Sequence, residues 1–137
     1  MQTAKRFFSL EGIDGSGKTT QIDMLIAALT KEGYSVVKLR EPGGAKISER
    51  IREILLDPAF KGVMGDKTDL LLYNAARAQV IHEIIQPALD AGKVVIADRF
   101  AWSTYAYQGY ARGLGAGLVQ QLTELTCGGC FPALTVV

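Results

Sequence analysis

The stretch that most constrains this chain runs from Gly12 to Thr19 and reads Gly-Ile-Asp-Gly-Ser-Gly-Lys-Thr. It fits G-x-x-x-x-G-K-[ST], and its surroundings fit as well. An apolar run, Phe7-Phe8-Ser9-Leu10, precedes it and reads as a buried strand. Ile22, Leu25, Ile26 and Leu29 follow it, spaced as one face of a helix. Strand, glycine loop and helix together make a phosphate site. Gly12, Gly15 and Gly17 let the backbone turn its N–H groups inward. Those groups and the positive end of the next helix form an anion cradle. Lys18 can reach terminal phosphates, and the Thr19 hydroxyl can ligate Mg²⁺.

The remaining pattern alternates strands with helices. Apolar runs at 5–10, 34–39, 94–97 and 132–137 read as strands. Helices are expected over 17–31, with Gly33 as the stop, over a short segment marked by Ile47, Ile51, Ile54 and Leu55, and over 68–91. In the last of these, Leu71, Ala75, Ala78, Ile81, Ile85 and Leu89 are the apolar positions, and Pro87 should kink the helix. Further helices are expected at 103–110 and 118–126. At 137 residues and 48% hydrophobic, the chain can bury one core, so residues 1–137 read as a single domain. The expected class is α/β, a three-layer α/β/α sandwich of the P-loop NTPase type with a parallel sheet. In such sheets ligands sit beyond the carboxyl ends of the strands. Those ends deliver the phosphate loop, then Arg40-Glu41, then Asp98-Arg99 to one edge. Asp98 can hold Mg²⁺, directly or through water, and Arg99 offers a planar fork to a phosphate. A structural ion pair at a strand end would look the same.

Composition excludes several classes. Fifteen basic and 14 acidic residues leave a net charge of +1, so no one-sign field points to a nucleic acid polymer or a membrane surface. No apolar run is long enough to span a bilayer, and the N-terminus lacks a signal peptide's apolar region, which leads us to expect a cytoplasmic enzyme. Cys127 and Cys130 form a C-x-x-C, but with one histidine in the chain, at His82, the ligands for a closed zinc site are too few. They read as two thiols near a helix end.

Four stretches occur in order: Glu11-Gly-Ile-Asp-Gly-Ser-Gly-Lys-Thr-Thr20, Arg40-Glu-Pro-Gly-Gly44, Asp98-Arg-Phe100 and Ser103-Thr-Tyr-Ala-Tyr-Gln-Gly109. In this the chain resembles the bacterial thymidylate kinases, which transfer the γ-phosphoryl of ATP to dTMP. The second and fourth stretches are the specific ones. The resemblance implies that Gly12, Ile13, Asp14, Gly15, Ser16, Gly17, Lys18, Thr19 and Thr20 bind ATP. It implies that Lys18, Arg99 and Asp14 serve catalysis and that Thr19 and Asp98 serve the metal, Mg²⁺. It further implies a dTMP site of Asp14, Glu41, Arg52, Tyr73, Arg77, Arg99, Thr104, Tyr107 and Gln108. Within it, Tyr73 would stack on thymine, Arg77 read its carbonyl edge, Arg99 grip the acceptor phosphate and Tyr107 crowd the sugar 2′ position. A homodimer is implied as well.

Residue chemistry supports part of this. Tyr73 and Arg77 are four apart and share a helix face. An aromatic plate beside a fork donor suits a planar base with carbonyl acceptors. A surface tyrosine with an arginine extended past it would give the same spacing, and Tyr105, Tyr107 and Tyr110 could be ordinary packing. Against the family pattern, Pro132-Ala133-Leu134-Thr135 lacks a carboxylate. A lid, an adenine loop and a fifth strand are also expected but not found, so the resemblance implies a fold truncated after its fourth strand. With Gly15 at the loop position that can carry an arginine, the resemblance implies a lid arginine, so these 137 residues alone are not expected to be a competent kinase.

Overall fold

The computed structural model describes residues 3–137. Its strands are β1 (Thr3–Leu10), β2 (Val36–Arg40), β3 (Val94–Asp98) and β4 (Phe131–Val136). They form one parallel sheet in the order β2-β3-β1-β4. Every strand is joined to the next by helical crossovers, as parallel neighbours require.

The sheet is covered on both faces, and β3 shows this residue by residue. Val95 and Ala97 join one buried cluster with Phe7, Val80, Ile85, Phe100 and Phe131. Val94 and Ile96 join the other with Leu10 and Ile22. A strand buried on both sides reads as an unbroken apolar run, as 94–97 does. Helix α1 (Lys18–Lys31) packs on the second face through Ile22, Ile26 and Leu29. It stops where Gly33 takes a left-handed φ of 86°.

On the first face lie α3 (Asp66–Val80), a π-helical turn (Ile81–Ile85) and α4 (Gln86–Asp90), preceded by α2 (Lys46–Leu56). The break in the long helix is therefore the π turn, placed just before Pro87. Proline has no N–H to give the preceding turn, and a widened turn accommodates the loss. Beyond β3 come α5 (Ala101–Thr104), a second π-helical turn (Tyr105–Ala111) and α6 (Ala116–Cys127).

In α2 and α3, apolar positions noted in the sequence are exposed while polar residues are buried. In α2 the isoleucines Ile47 and Ile54 are exposed. The buried residue there is Ser48, whose hydroxyl donates to the Ala76 carbonyl at 2.8 Å. In α3, Leu71 is exposed while Asp69, Asn74 and Arg77 are buried. This helix turns polar side chains inward, against the usual pattern. Such conflicts between local pattern and fold concentrate at functional sites.

β4 pairs with β1 through a register shift, and Ala133 lies exposed on it. Ser9 and Thr135 share a hydroxyl hydrogen bond of 2.8 Å across that pair. No described helix is long and apolar enough to cross a membrane.

Candidate active site

The carboxyl ends of β1, β3 and β2 are in register. Leu10 lies opposite Asp98, and Asp98 opposite Arg40. Just past this row opens a cleft of about 680 Å³. Its walls include Asp14, Gly15, Gly17, Lys18, Thr19 and Thr20 from the phosphate loop. Facing them are Arg40, Glu41, Arg52, Tyr73, Arg77, Asp98, Arg99, Ser103, Thr104, Tyr107 and Gln108. Every acceptor-site residue expected from the sequence thus lines one cleft. Gly12, Ile13 and Ser16 do not line it, and the Ile13 side chain is exposed.

The loop side is made of backbone and open to solvent. Gly17 caps α1 with φ 90°, a left-handed conformation suited to glycine. Gly12 is tight for another reason: a Cβ there would stand 2.9 Å from Ser16 Oγ. Lys18 Nζ donates to the carbonyls of Gly12 and Ile13 at 2.9 and 3.0 Å, which folds the side chain over its own loop. Asp14 projects fully into solvent, 99% exposed, and accepts from Arg99 Nη2 at 2.8 Å. Arg99 carries the one left-handed φ among the described non-glycine residues, 68°. Strain of this kind clusters at functional sites.

The opposite side has buried polar side chains at its base, with half-buried and exposed residues such as Tyr73 and Tyr107 nearer its rim. Arg77 is 2% exposed, so it does not extend past Tyr73 to solvent. Its Nε donates to Glu41 Oε2 at 2.9 Å, and its Nη2 to Thr104 Oγ1 at 2.9 Å. The guanidinium lies 5.1 Å from the Phe100 ring centre, a cation–π contact. Phe100 is braced edge-on by Phe7. Three supports thus fix Arg77, yet its Nη1 is buried without a partner among the described residues, as is Glu41 Oε1. Buried polar atoms are nearly always paired, so an orphaned donor and acceptor on the wall of a cleft call for a ligand or ordered water. Burial pushes the Glu41 carboxyl up to about 7, against the pull of Arg77.

Next to this pair, Gln108 Nε2 donates to Asp69 Oδ2 at 2.7 Å, with both residues buried. Arg112 braces Asp69 from outside at 3.5 Å. Tyr73 is half-buried, and burial followed by Asp69 raises its phenol. Neither Tyr107 nor Tyr110 is core packing, since they are 46% and 80% exposed. Tyr107 holds its ring 5.7 Å from the Arg99 guanidinium. Arg52 Nη1 donates to the Pro42 carbonyl at 2.8 Å, which fixes it beside Glu41. Glu49 accepts from the Gly44 N–H, which holds it below the usual carboxylate range and steadies the 41–45 turn.

Sequence reasoning gave no role to four of these residues. Arg40 stood at a quoted strand end and Ser103 in a quoted stretch, each without a task, and Asp69 carried no local signal, because its partner Gln108 lies 39 residues away. Glu11 stood in the quoted motif without a task. Its position at the end of a strand that feeds the phosphate loop was the available sign.

For a divalent cation the structure offers Thr19 and Asp98 on the cleft wall. No described side chain pairs with the Asp98 carboxylate, and the described residues hold no cluster of three metal-ligating side chains. One carboxylate and one hydroxyl fit an ion that keeps several waters and takes phosphate oxygens, as Mg²⁺ does. They do not fit zinc. Cys127 and Cys130 are free and buried, away from the cleft, and burial raises their thiols to about 12 and about 11.

Comparison with known proteins gives a consistent result. The sequence model of the thymidylate kinase family matches residues 10–137. The thymidylate kinase of Halothermothrix orenii is 53% identical over 131 residues, covering 96% of this chain and 62% of that protein. That of Syntrophotalea carbinolica is 55% identical over 131 residues, covering 96% and 60%. The crystal structure of thymidylate kinase from Ehrlichia chaffeensis superposes with a TM-score of 0.83 at 39% identity, over 98% of this chain and 70% of that one. The chain thus spans 60% to 62% of the length of the two curated relatives.

Proposed function

Since this chain belongs to the thymidylate kinase family, we propose that it carries the donor-phosphate and acceptor-nucleotide sites for transfer of the ATP γ-phosphoryl to dTMP. The buried Arg77–Glu41 pair supports this reading most. A pyrimidine with a carbonyl at position 4 offers Arg77 an acceptor. Cytosine offers an amino group there, and two donors facing each other leave both unpaired. Tyr73 provides the aromatic plate, and Glu41 Oε1 is an acceptor for a sugar hydroxyl. Thr104 and Gln108 complete the base-side wall, Thr104 by holding the Arg77 fork.

On the other side, backbone N–H groups of residues 15–19 and Lys18 neutralise the donor phosphates. Lys18 must leave its loop carbonyls to do so. Arg99, with Arg52 lining the same cleft, grips the acceptor phosphate. Thr19 and Asp98 would hold Mg²⁺, which would offset phosphate charge when bound. In the transfer, an acceptor phosphate oxygen bonds to the γ-phosphorus as the bond to the β,γ-bridging oxygen breaks. That oxygen is already anionic near neutral pH, so no side chain need remove a proton. The chain's task is alignment and charge neutralisation.

Calorimetric competition tests the reading. dTMP should bind tighter than dCMP, dGMP and AMP, by about tenfold or more over dCMP. Equal affinity for dTMP and dCMP would refute base recognition by Arg77.

A further inference from the structure

Arg99 sits at φ 68°, a conformation an arginine keeps only when its surroundings hold it. The residues that hold it come from the end of β1. The Arg99 N–H donates to the Leu10 carbonyl at 2.9 Å. The next residue on each side repeats the grip: the Phe100 N–H donates to Glu11 Oε1 at 2.8 Å. Glu11 Oε2 accepts from the Ser103 hydroxyl at 2.6 Å, and Ser103 Oγ accepts from Arg99 Nη1 at 3.2 Å. Glu11 is buried and immediately precedes Gly12, where the phosphate loop begins.

We propose that Glu11 is a positioning residue. It fixes both the backbone and, through Ser103, the guanidinium of Arg99, so that the arginine on the acceptor phosphate stays in register with the loop that holds the donor. The proposal rests on the reading of Arg99 as the acceptor-phosphate arginine. The chemistry requires a carboxylate. Both its oxygens accept, so Phe100 and Ser103 can both donate, and the Ser103 lone pairs remain free for Arg99. A glutamine has one acceptor. Either its amide group turns to the Phe100 N–H, donor against donor, or it donates to Ser103 and competes with Arg99 for the same oxygen.

Glu11→Gln and Ser103→Ala in the 137-residue chain, titrated with dTMP and with thymidine, separate this role from a merely structural one. Thymidine lacks the phosphate. Glu11→Gln should cut the ratio of dTMP to thymidine affinity about tenfold while leaving thymidine binding unchanged. In an Arg99→Ala background the same change should add nothing. Equal loss for both ligands, or an unchanged ratio, overturns the proposal. If Glu11→Gln does not fold, Ser103→Ala decides, and a parental ratio there overturns the relay. Should the parent bind neither ligand, the nucleotide reading fails, and Glu11 is judged without ligand by ¹⁵N NMR. Glu11→Gln must then lose exchange protection at the Phe100 amide and averaging must appear at Arg99 Nε. Spectra identical to the parent's at both positions would overturn it.

Discussion

The two walls of the cleft are built in opposite ways. The proposed donor wall is a contiguous loop offering backbone N–H groups and one flexible lysine, and its Asp14 stands wholly in solvent. The proposed acceptor wall draws its buried polar side chains from separate elements: Glu41 after β2, Arg77 on α3, Thr104 on α5 and Gln108 in the second π turn, with Asp69 of α3 behind Gln108. Phosphates are alike in every nucleotide, so the first wall needs only charge and reach. A base must be distinguished from similar bases, and rigid, desolvated donors and acceptors do this because a mismatch leaves one of them unpaired. On the proposed reading, specificity on one side therefore comes with a stability cost that the other side does not bear.

The largest effect should come from breaking the buried side. Arg77→Ala leaves the Glu41 carboxylate with no counter-charge, and removal of one partner of a buried pair costs about 3–5 kcal/mol. Denaturant unfolding should show that loss. Lys18→Ala is the contrast. It should change stability by less than about 0.5 kcal/mol, while nearly abolishing ATP binding. If the two variants are equally stable, the walls do not differ as described.

The comparison was unequally legible in the sequence, and the reason is physical. The donor wall is local: its glycines, Lys18 and Thr19 lie within one motif between a strand and a helix that periodicity reveals. The strand ends at Leu10, Arg40 and Asp98 follow from the same alternation. The acceptor wall depends on partners 36 residues apart for Arg77 and Glu41, and 39 apart for Gln108 and Asp69. No period connects them. The shared face of Tyr73 and Arg77 was visible, but whether Arg77 pointed to solvent or inward was not. Family resemblance named Glu41, Arg77 and Gln108 but not Asp69, and the fold supplied their connections. The same inward turn of polar side chains on α3 leaves Leu71, an apolar position of the sequence pattern, exposed.

A smaller effect follows from Glu41. Its folded carboxyl titrates near 7, above the ordinary 4.5. The folded state therefore binds more protons than the unfolded one between those values. Stability contributed by this group is present in full below about pH 4.5 and is lost as pH rises through about 7, by up to about 3 kcal/mol. Unfolding of Glu41→Gln across this window should lack that decline. A parallel decline in both proteins would assign it to another group.

The smallest effect concerns Tyr107, at the half-exposed rim between the two walls. Tyr107→Ala should relax the preference for dTMP over ribothymidine monophosphate by about tenfold or less, and Tyr107→Phe should retain it. An alanine variant that discriminates as well as the parent would show that the ring does not meet the sugar.

The central claim, that base choice lies in the buried wall and phosphate affinity in the open one, is tested most directly by the double variant Glu41→Gln/Arg77→Gln. It removes both charges together, so neither is left uncompensated. Titrated calorimetrically with dTMP and with ATP, it should lose dTMP affinity by about tenfold or more and keep ATP affinity within about twofold of the parent. Equal losses for both nucleotides would contradict the account.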